Sequence, residues 1–393
     1  MMAKLRNVLK LLMGWMILLL VLLVIAEVVL QIRNAMRLSN KAEMGIVDHT
    51  AHPKFGTWRT PNQENAVWEG ECFKTTDITI NSYGMRAEEP NPNKKKRVGW
   101  FGDSMIQGYE VSKQEHFLYR LNELDTERDH LNFGIAATGT VTQLHNFLHH
   151  VDSLQLDEVV LCLYLSNDVW NNSYNISIVD GWELDKPVPF MRMKAGSDSE
   201  YFLDRSRINW HTEWYGKLHT VKFFAGLFQR IGTKLEYRNG YNPYAYKCPD
   251  VEADIPFNKQ RYCEQCDHPW WNEGRLITAN AIRFFKNECA KRKLPFKVML
   301  IPSQEELLNQ QQTDARNPGL EGLMNYRLEN RLFREVLRTE QIQYMNVLNW
   351  ADERVKAEGL EWPFFSLECD MHLSPAGHDL LFETVQIWYP EAE

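Results

Sequence analysis

The chain has too little positive charge for a nucleic-acid partner. Its 44 Lys and Arg stand against 52 Asp and Glu, for a formal net charge of −8, and its pI is near 5.9. A nucleic-acid binder needs a basic face, and the one basic run, residues 94–97, is short and reads as a solvated approach to a first strand. The chain also lacks a second CxxC pair. Cys263-Glu-Gln-Cys266 has only Cys248 and His268 for company, whereas closed zinc sites usually draw on two such pairs. No metal and no cofactor is expected. For these three cysteines a disulfide, free thiols and a metal site stay open, a disulfide being the ordinary fate outside the cytoplasm. Seven cysteines leave an odd one, and Cys162, in an apolar run, is expected as a buried free thiol. A second long apolar run is missing too, so at most one membrane crossing is expected.

That one crossing is at the N-terminus. Residues 11–26 carry no charge, and between 11 and 32 only Glu27 and Gln31 are strongly polar. Twenty helical residues span about 30 Å, a bilayer's hydrocarbon core. Ala26-Glu27-Val28 is a poor cleavage site, so the run reads as an uncleaved signal anchor with Glu27 near the far interface. Lys4, Arg6 and Lys10 precede the run, and Arg33, Arg37 and Lys41 follow it. This near balance leaves orientation to a weak preference for the N-terminus inside. The expected address is the inner membrane, single-pass, with the C-terminal part in the periplasm or outside.

With 393 residues, 44% apolar and 24% charged, the rest is ordinary globular sequence. The expected division is 1–32 for tip and anchor, 33–95 for a polar stalk and an extended arm, and 96–393 for one large domain. Short apolar strands are expected at 98–101, 130–133, 158–165, 296–301 and 341–347, with helices between them and a last helix from Pro375. The unbroken apolar text of the third marks a strand buried on both faces. The fold class is therefore α/β, a five-stranded parallel sheet covered on both faces as three α/β/α layers. An aromatic-rich insertion, about 174–269, interrupts it. Trp182, Phe190, Tyr201, Trp210, Trp214, Tyr215, Phe223 and Phe224 read as a small core of its own, or as a sugar-stacking groove. Residues 213–231 could form a helix with an apolar stripe.

Three strand ends carry the chemistry. Gly102-Asp103-Ser104 follows the first, Asn132-Phe-Gly134 ends the second, and Ser166-Asn167-Asp168 ends the third. Parallel strands bring these ends to one sheet edge, where open α/β folds place their ligands. Ser104 is a candidate nucleophile. Its own N–H, the Gly134 N–H and the Asn167 amide are candidate oxyanion donors, each typically worth about 10²–10³ in rate. The base comes from Asp370-Met-His372, a carboxylate set to orient an imidazole. Asp103 reads first as a turn-former, and Asn167 or Asp168 as the cap of the following segment, with Asp103 and Asp168 both supporting. His378 is assigned to the last helix, packed or solvated, and His145, His149 and His150 to the surface of an earlier one.

These four blocks, in this order, resemble the SGNH (GDSL) hydrolase superfamily, and Asn81-Ser-Tyr-Gly84-Met-Arg86 resembles a segment that precedes the nucleophile block in its membrane-anchored bacterial members. The resemblance implies flavodoxin-like strand order and metal-free ester hydrolysis or acyl transfer. It also implies an acylated, chiefly O-acetylated, envelope polysaccharide or lipid-linked glycan as substrate. Two departures stand out: Leu165 and Ser166 precede Asn167 where a Gly is usual, and the acid–base block is Asp-x-His rather than Asp-x-x-His. Acetyltransferase-like relatives share the second pattern. An O-acyltransferase is thus one alternative, and a non-catalytic glycan-binding scaffold is another.

Overall fold

The computed structural model describes residues 2–179, 188–193, 201–204, 218–221, 223, 224, 227, 246–249, 251–359, 364–367 and 369–389. The chain divides into two units, 1–46 with 209–241 and 47–208 with 242–393.

The first unit is built on one unbroken helix, Met2–Glu43, whose stretch Lys10–Met36 is long and apolar enough to cross a membrane. Anchor and stalk, read separately in the sequence, are a single rod. In the expected 213–231 stretch, residues 219–221, 223, 224 and 227 are helical.

The second unit follows from the strand periodicity. The strands are β1 (His49–His52), β2 (Gly56–Arg59), β3 (Gln63–Glu69), β4 (Lys74–Ile80), β5 (Lys96–Phe101), β6 (Arg128–Asn132), β7 (Glu158–Tyr164), β8 (Phe190–Met193), β9 (Tyr201–Asp204), β10 (Phe296–Ile301) and β11 (Gln343–Asn346). The order β11-β10-β7-β5-β6 makes one five-stranded sheet, every pairing parallel. Successive side chains point to opposite faces. Val159, Leu161 and Leu163 of β7 therefore pack with Phe147, Ile282, Phe285 and Leu337 on one side. Val160, Cys162 and Tyr164 pack with Phe117, Leu121, Val347 and Leu381 on the other. Those side chains come from the helices Phe117–Leu124, Thr140–His150, Pro269–Lys291, Leu328–Thr339, Val347–Glu358 and Pro375–Gln386, which supply the two outer layers.

The arm is not featureless. β1 pairs with β2 and β3 with β4, both antiparallel, and Ala66, Ile78 and Ile80 bury against Tyr109 beside the nucleophile segment. Among the aromatics expected to form a core of the insertion, Phe190 is buried, whereas Phe223 and Phe224 are exposed. Trp182, Trp210, Trp214 and Tyr215 lie outside the described residues. Cys248 bonds to Cys266 in a satellite cluster with Ile255, Cys263, Leu320 and Met324. Cys162, Cys263 and Cys289 are free and buried. His150 is a correction: it is buried and ring-packed on Phe55, Trp58 and Phe133, because it lies one helical turn from Phe147 and shares its face.

A second disulfide, Cys72–Cys369, joins the β3–β4 turn to the loop carrying the candidate base, with Cα atoms 6.0 Å apart and 297 residues between them. Long closed loops gain most from such a bond, typically about 2–4 kcal/mol. Replacing Cys72 and Cys369 together by Ser is expected to lower the thermal midpoint by several degrees and to slow covalent labelling of Ser104 by a fluorophosphonate further than the stability loss explains. Calorimetry beside labelling rates well below the midpoint checks this; unchanged rates would mean that the bond does not hold the base.

Candidate active site

Ser104 opens a four-residue helix, Ser104–Gln107, directly after β5. Asp103 caps it, its carboxylate accepting the Met105 N–H at 2.9 Å. Gly108 closes it with φ of +61°, a conformation that excludes most side chains. Gly134, at the end of β6, packs straight onto this turn. A Cβ there would lie 2.4 Å from Gln107 N, 2.7 Å from Ile106 C and 2.9 Å from Asp103 O, all of them backbone. Asn132 Nδ2 donates to the Ile106 carbonyl at 2.8 Å, and the Ala136 N–H donates to Gln107 Oε1 at 2.5 Å. The nucleophile turn is thus fixed from the neighbouring strand.

The acid–base block arrives from the far end of the chain. His372 Nε2 lies 2.8 Å from Ser104 Oγ. Its Nδ1 lies 2.9 Å from Asp370 Oδ1 and 3.6 Å from Glu110 Oε1. Neither contact makes a hydrogen bond, the Glu110 oxygen being too far, so the two carboxylates act on the ring by their charge. Both favour a proton on Nδ1, which leaves Nε2 to accept the serine hydroxyl. Burial pulls the His372 pKa down, but Glu110 and then Asp370 outweigh it, and the net shift is upward. Pairing of Ser366 with Leu373, the Leu367 N–H to the His372 carbonyl (3.0 Å) and the Cys369 disulfide hold the loop.

The three expected oxyanion donors differ in state. Ser104 N–H begins its helix and has no partner within it. Gly134 N–H donates to Asn132 Oδ1 at 2.9 Å in an Asx turn. The Asn167 side chain faces the Asp103 carboxylate. Asp103 is fully buried, and burial pushes its pKa up to about 6. Asp168 is buried behind it, where burial and then the Asp103 charge push it upward as well. Asp168 accepts from the Tyr164 N–H at 2.8 Å and from Gln143 Nε2 at 3.1 Å, so it ties β7 to the helix Thr140–His150. His378 is wholly buried, with its ring against His116.

Glu110 and Arg59 carried no signal in the sequence, and Arg86 stood in the Asn81-to-Arg86 block with no role of its own. Glu110 follows the nucleophile helix in a loop. Arg59 and Arg86 are buried cations bonded to carbonyls. Arg59 donates to Gly84 O at 2.6 Å and Gly134 O at 2.5 Å, and Arg86 donates to Val111 O at 2.7 Å and Gln107 O at 3.3 Å. Asn81 Oδ1 accepts the Tyr83 and Met85 N–H groups, each at 3.0 Å, which shapes the turn that delivers Arg86. Beside Asn167 opens a cleft of about 520 Å³ whose lining includes Trp170, Asn171, Arg261, Tyr262 and Met371. Among the described residues no group of His, Cys, Asp and Glu side chains could hold a metal ion.

Gly134→Ala is expected to cost about 1–3 kcal/mol by overpacking and to slow covalent labelling of Ser104 by a fluorophosphonate at least tenfold, because the clash falls on the backbone that carries Ser104. Thermal melts and labelling rates on the same sample decide it. A variant with wild-type kinetics would show that the turn tolerates displacement.

No family model matches the chain, and no curated protein matches it. Solved structures that match it include a member of the lipolytic G-D-S-L family from Veillonella parvula DSM 2008, at 10% identity and a TM-score of 0.36, covering 76% of this chain and 100% of that one. A catalytic mutant of an acetylxylan esterase from Geobacillus stearothermophilus matches at 12% identity and 0.37, covering 75% and 94%. A two-domain esterase active on acetylated mannans matches at 10% and 0.38, covering 76% of this chain and 49% of that one. At these identities and scores, none of the likenesses carries an activity over to this chain.

Proposed function

We propose that the chain is a membrane-anchored serine esterase of the SGNH type that removes acyl groups, O-acetyl foremost, from envelope polysaccharide or lipid-linked glycan. The observation that carries this reading is the 2.8 Å approach of His372 Nε2 to Ser104 Oγ, with Asp370 Oδ1 2.9 Å from the other ring nitrogen. His372 takes the hydroxyl proton as Ser104 attacks the ester carbonyl. Asp370 and Glu110 stabilise the imidazolium that results. The oxyanion meets Ser104 N–H, and it competes with Asn132 Oδ1 for the Gly134 N–H and with Asp103 for the Asn167 amide. His372 then gives its proton to the leaving sugar hydroxyl, and an acyl-enzyme remains. Water, activated by His372, releases the acid.

The cleft beside Asn167 supports a glycan substrate, since its lining mixes the aromatic side chains Trp170 and Tyr262 with amide and charged groups. The same cleft has room for an acceptor sugar, and that favours acyl transfer as the second outcome of the one acyl-enzyme. The helix Met2–Glu43 supports anchorage. The two disulfides support an oxidising compartment such as the periplasm for residues 33–393. In this reading 1–32 is tip and anchor, 33–95 stalk and arm, and 96–393 the catalytic domain.

Ser104→Ala and His372→Ala are expected to lower kcat by roughly 10⁴–10⁶ and to abolish labelling by a fluorophosphonate probe that marks the wild type. A folded wild-type protein that takes up no probe would leave the scaffold reading. Acetate release from acetylated glycans, compared with a soluble aryl acetate, tests the substrate class; activity on the aryl ester alone would refute it.

The pH profile follows from the His372 shift. The base works only when neutral, and its pKa is raised above the ordinary histidine value near 6.5. Activity should therefore fall as pH drops through a midpoint above that value. Asp370→Asn and Glu110→Gln each remove a charge that favours the imidazolium, so each should move the acid limb of kcat/KM to lower pH. An unmoved limb in Glu110→Gln would show that Glu110 does not act on His372.

A further inference from the structure

Glu27 is a misfit for a membrane helix. It lies within Lys10–Met36, whose 27 residues, about 40 Å of helix at 1.5 Å per residue, outrun a hydrocarbon core of about 30 Å. Glu27 closes the charge-free run 11–26 and so falls near the far boundary, where a carboxylate still needs its oxygens satisfied. They are. Oε1 accepts from Gln31 Nε2 at 2.9 Å and from the His219 N–H at 3.0 Å, while Oε2 accepts from the Thr220 N–H and Oγ1, both at 2.8 Å. His219 Nδ1 also lies 3.4 Å from Oε1. Three of these donors, and that ring nitrogen, come from the aromatic insertion.

That contact fixes the depth of the insertion's segment: what bonds to Glu27 lies at the level of Glu27. Just beyond it, Phe223, Phe224 and Leu227 are 60%, 41% and 43% exposed, too open for the small core expected of them. In sequence, residues 217–234 contain Lys217, Lys222, Arg230 and Lys234 and no acidic residue, against a net charge of −8 for the whole chain. Exposed aromatics with a locally basic composition match the chemistry of an anionic bilayer interface.

We propose that residues 218–221, 223, 224 and 227 form a second membrane contact, docked on the anchor helix at Glu27 and inserting Phe223, Phe224 and Leu227 into the headgroup–acyl boundary of an anionic bilayer. This rests on the reading of Lys10–Met36 as a membrane span. Glu27 is then the joint between the two membrane-bound segments.

The test uses the full chain in vesicles of phosphatidylethanolamine and phosphatidylglycerol, with single cysteines in place of Phe223, Leu227, Ile17 or Glu123 carrying a nitroxide. The native free thiols are buried, which directs the label to the introduced site. Collision with oxygen is compared with collision with a water-soluble nickel chelate. At 223 and 227 the oxygen-to-nickel ratio is expected severalfold above that at Glu123 and below that at Ile17, as a boundary depth requires. Ratios at 223 and 227 equal to that at Glu123, with Ile17 still in lipid, overturn the contact and leave the anchor standing. Labels at 223 and 227 shielded from both reagents would mean that protein covers the face, which also overturns it. A water-exposed Ile17 removes the anchor and the proposal together.

Discussion

The Ser104–His372 contact joins residues 268 positions apart in the chain, and neither element forming it is large enough to hold itself. Ser104 sits on a helix of four residues, His372 on a loop. Precision has to come from what surrounds them. On the serine side, that is backbone packed against backbone where Gly134 meets Asp103, Ile106 and Gln107. On the histidine side, it is a covalent tie through Cys369 and a short bridge between Ser366 and Leu373. Remove either support and the 2.8 Å approach becomes one geometry among many, which is how a 1 Å misplacement remote from the chemistry erodes rate.

Charge follows the same logic. Arg59 and Arg86 are buried without a hydrogen-bonded carboxylate, and each spends its guanidinium on backbone carbonyls around the nucleophile turn. Fixed cationic donors on carbonyls are directional, so they set the orientation of the peptide planes they hold. Asp103 and Asp168, stacked behind the serine, are pushed toward their neutral forms by burial, while His372 is pushed toward its cation by Glu110 and Asp370. The site thus keeps negative charge on the far side of the imidazole and restrains it beneath the nucleophile.

The sheet and the ordering of its strand ends were legible because both depend on short-range pattern. Apolar runs announce β5, β7 and β10, the alternation with helices supplies the other two strands, and parallel order then places Ser104, Gly134 and Asn167 at one edge. Glu110 was not legible: a carboxylate in a loop six residues past the nucleophile has no periodicity to mark it. Arg59 and Arg86 look like solvated charges until the fold closes over them. The β1–β4 hairpins were hidden in short, polar strands whose partners only become clear once Tyr109 offers a surface. The Cys72–Cys369 pairing is tertiary information throughout. His150, by contrast, could have been placed by its three-residue spacing from Phe147.

The Cys72–Cys369 bond also changes what a cut in the chain can do. The whole five-stranded sheet, and the entire aromatic insertion, lies between those two residues. A single proteolytic nick anywhere in that interval opens a ring instead of releasing a fragment. Ser104 and His372 then stay on one covalent molecule, and only under reducing conditions does the nicked protein run as two pieces.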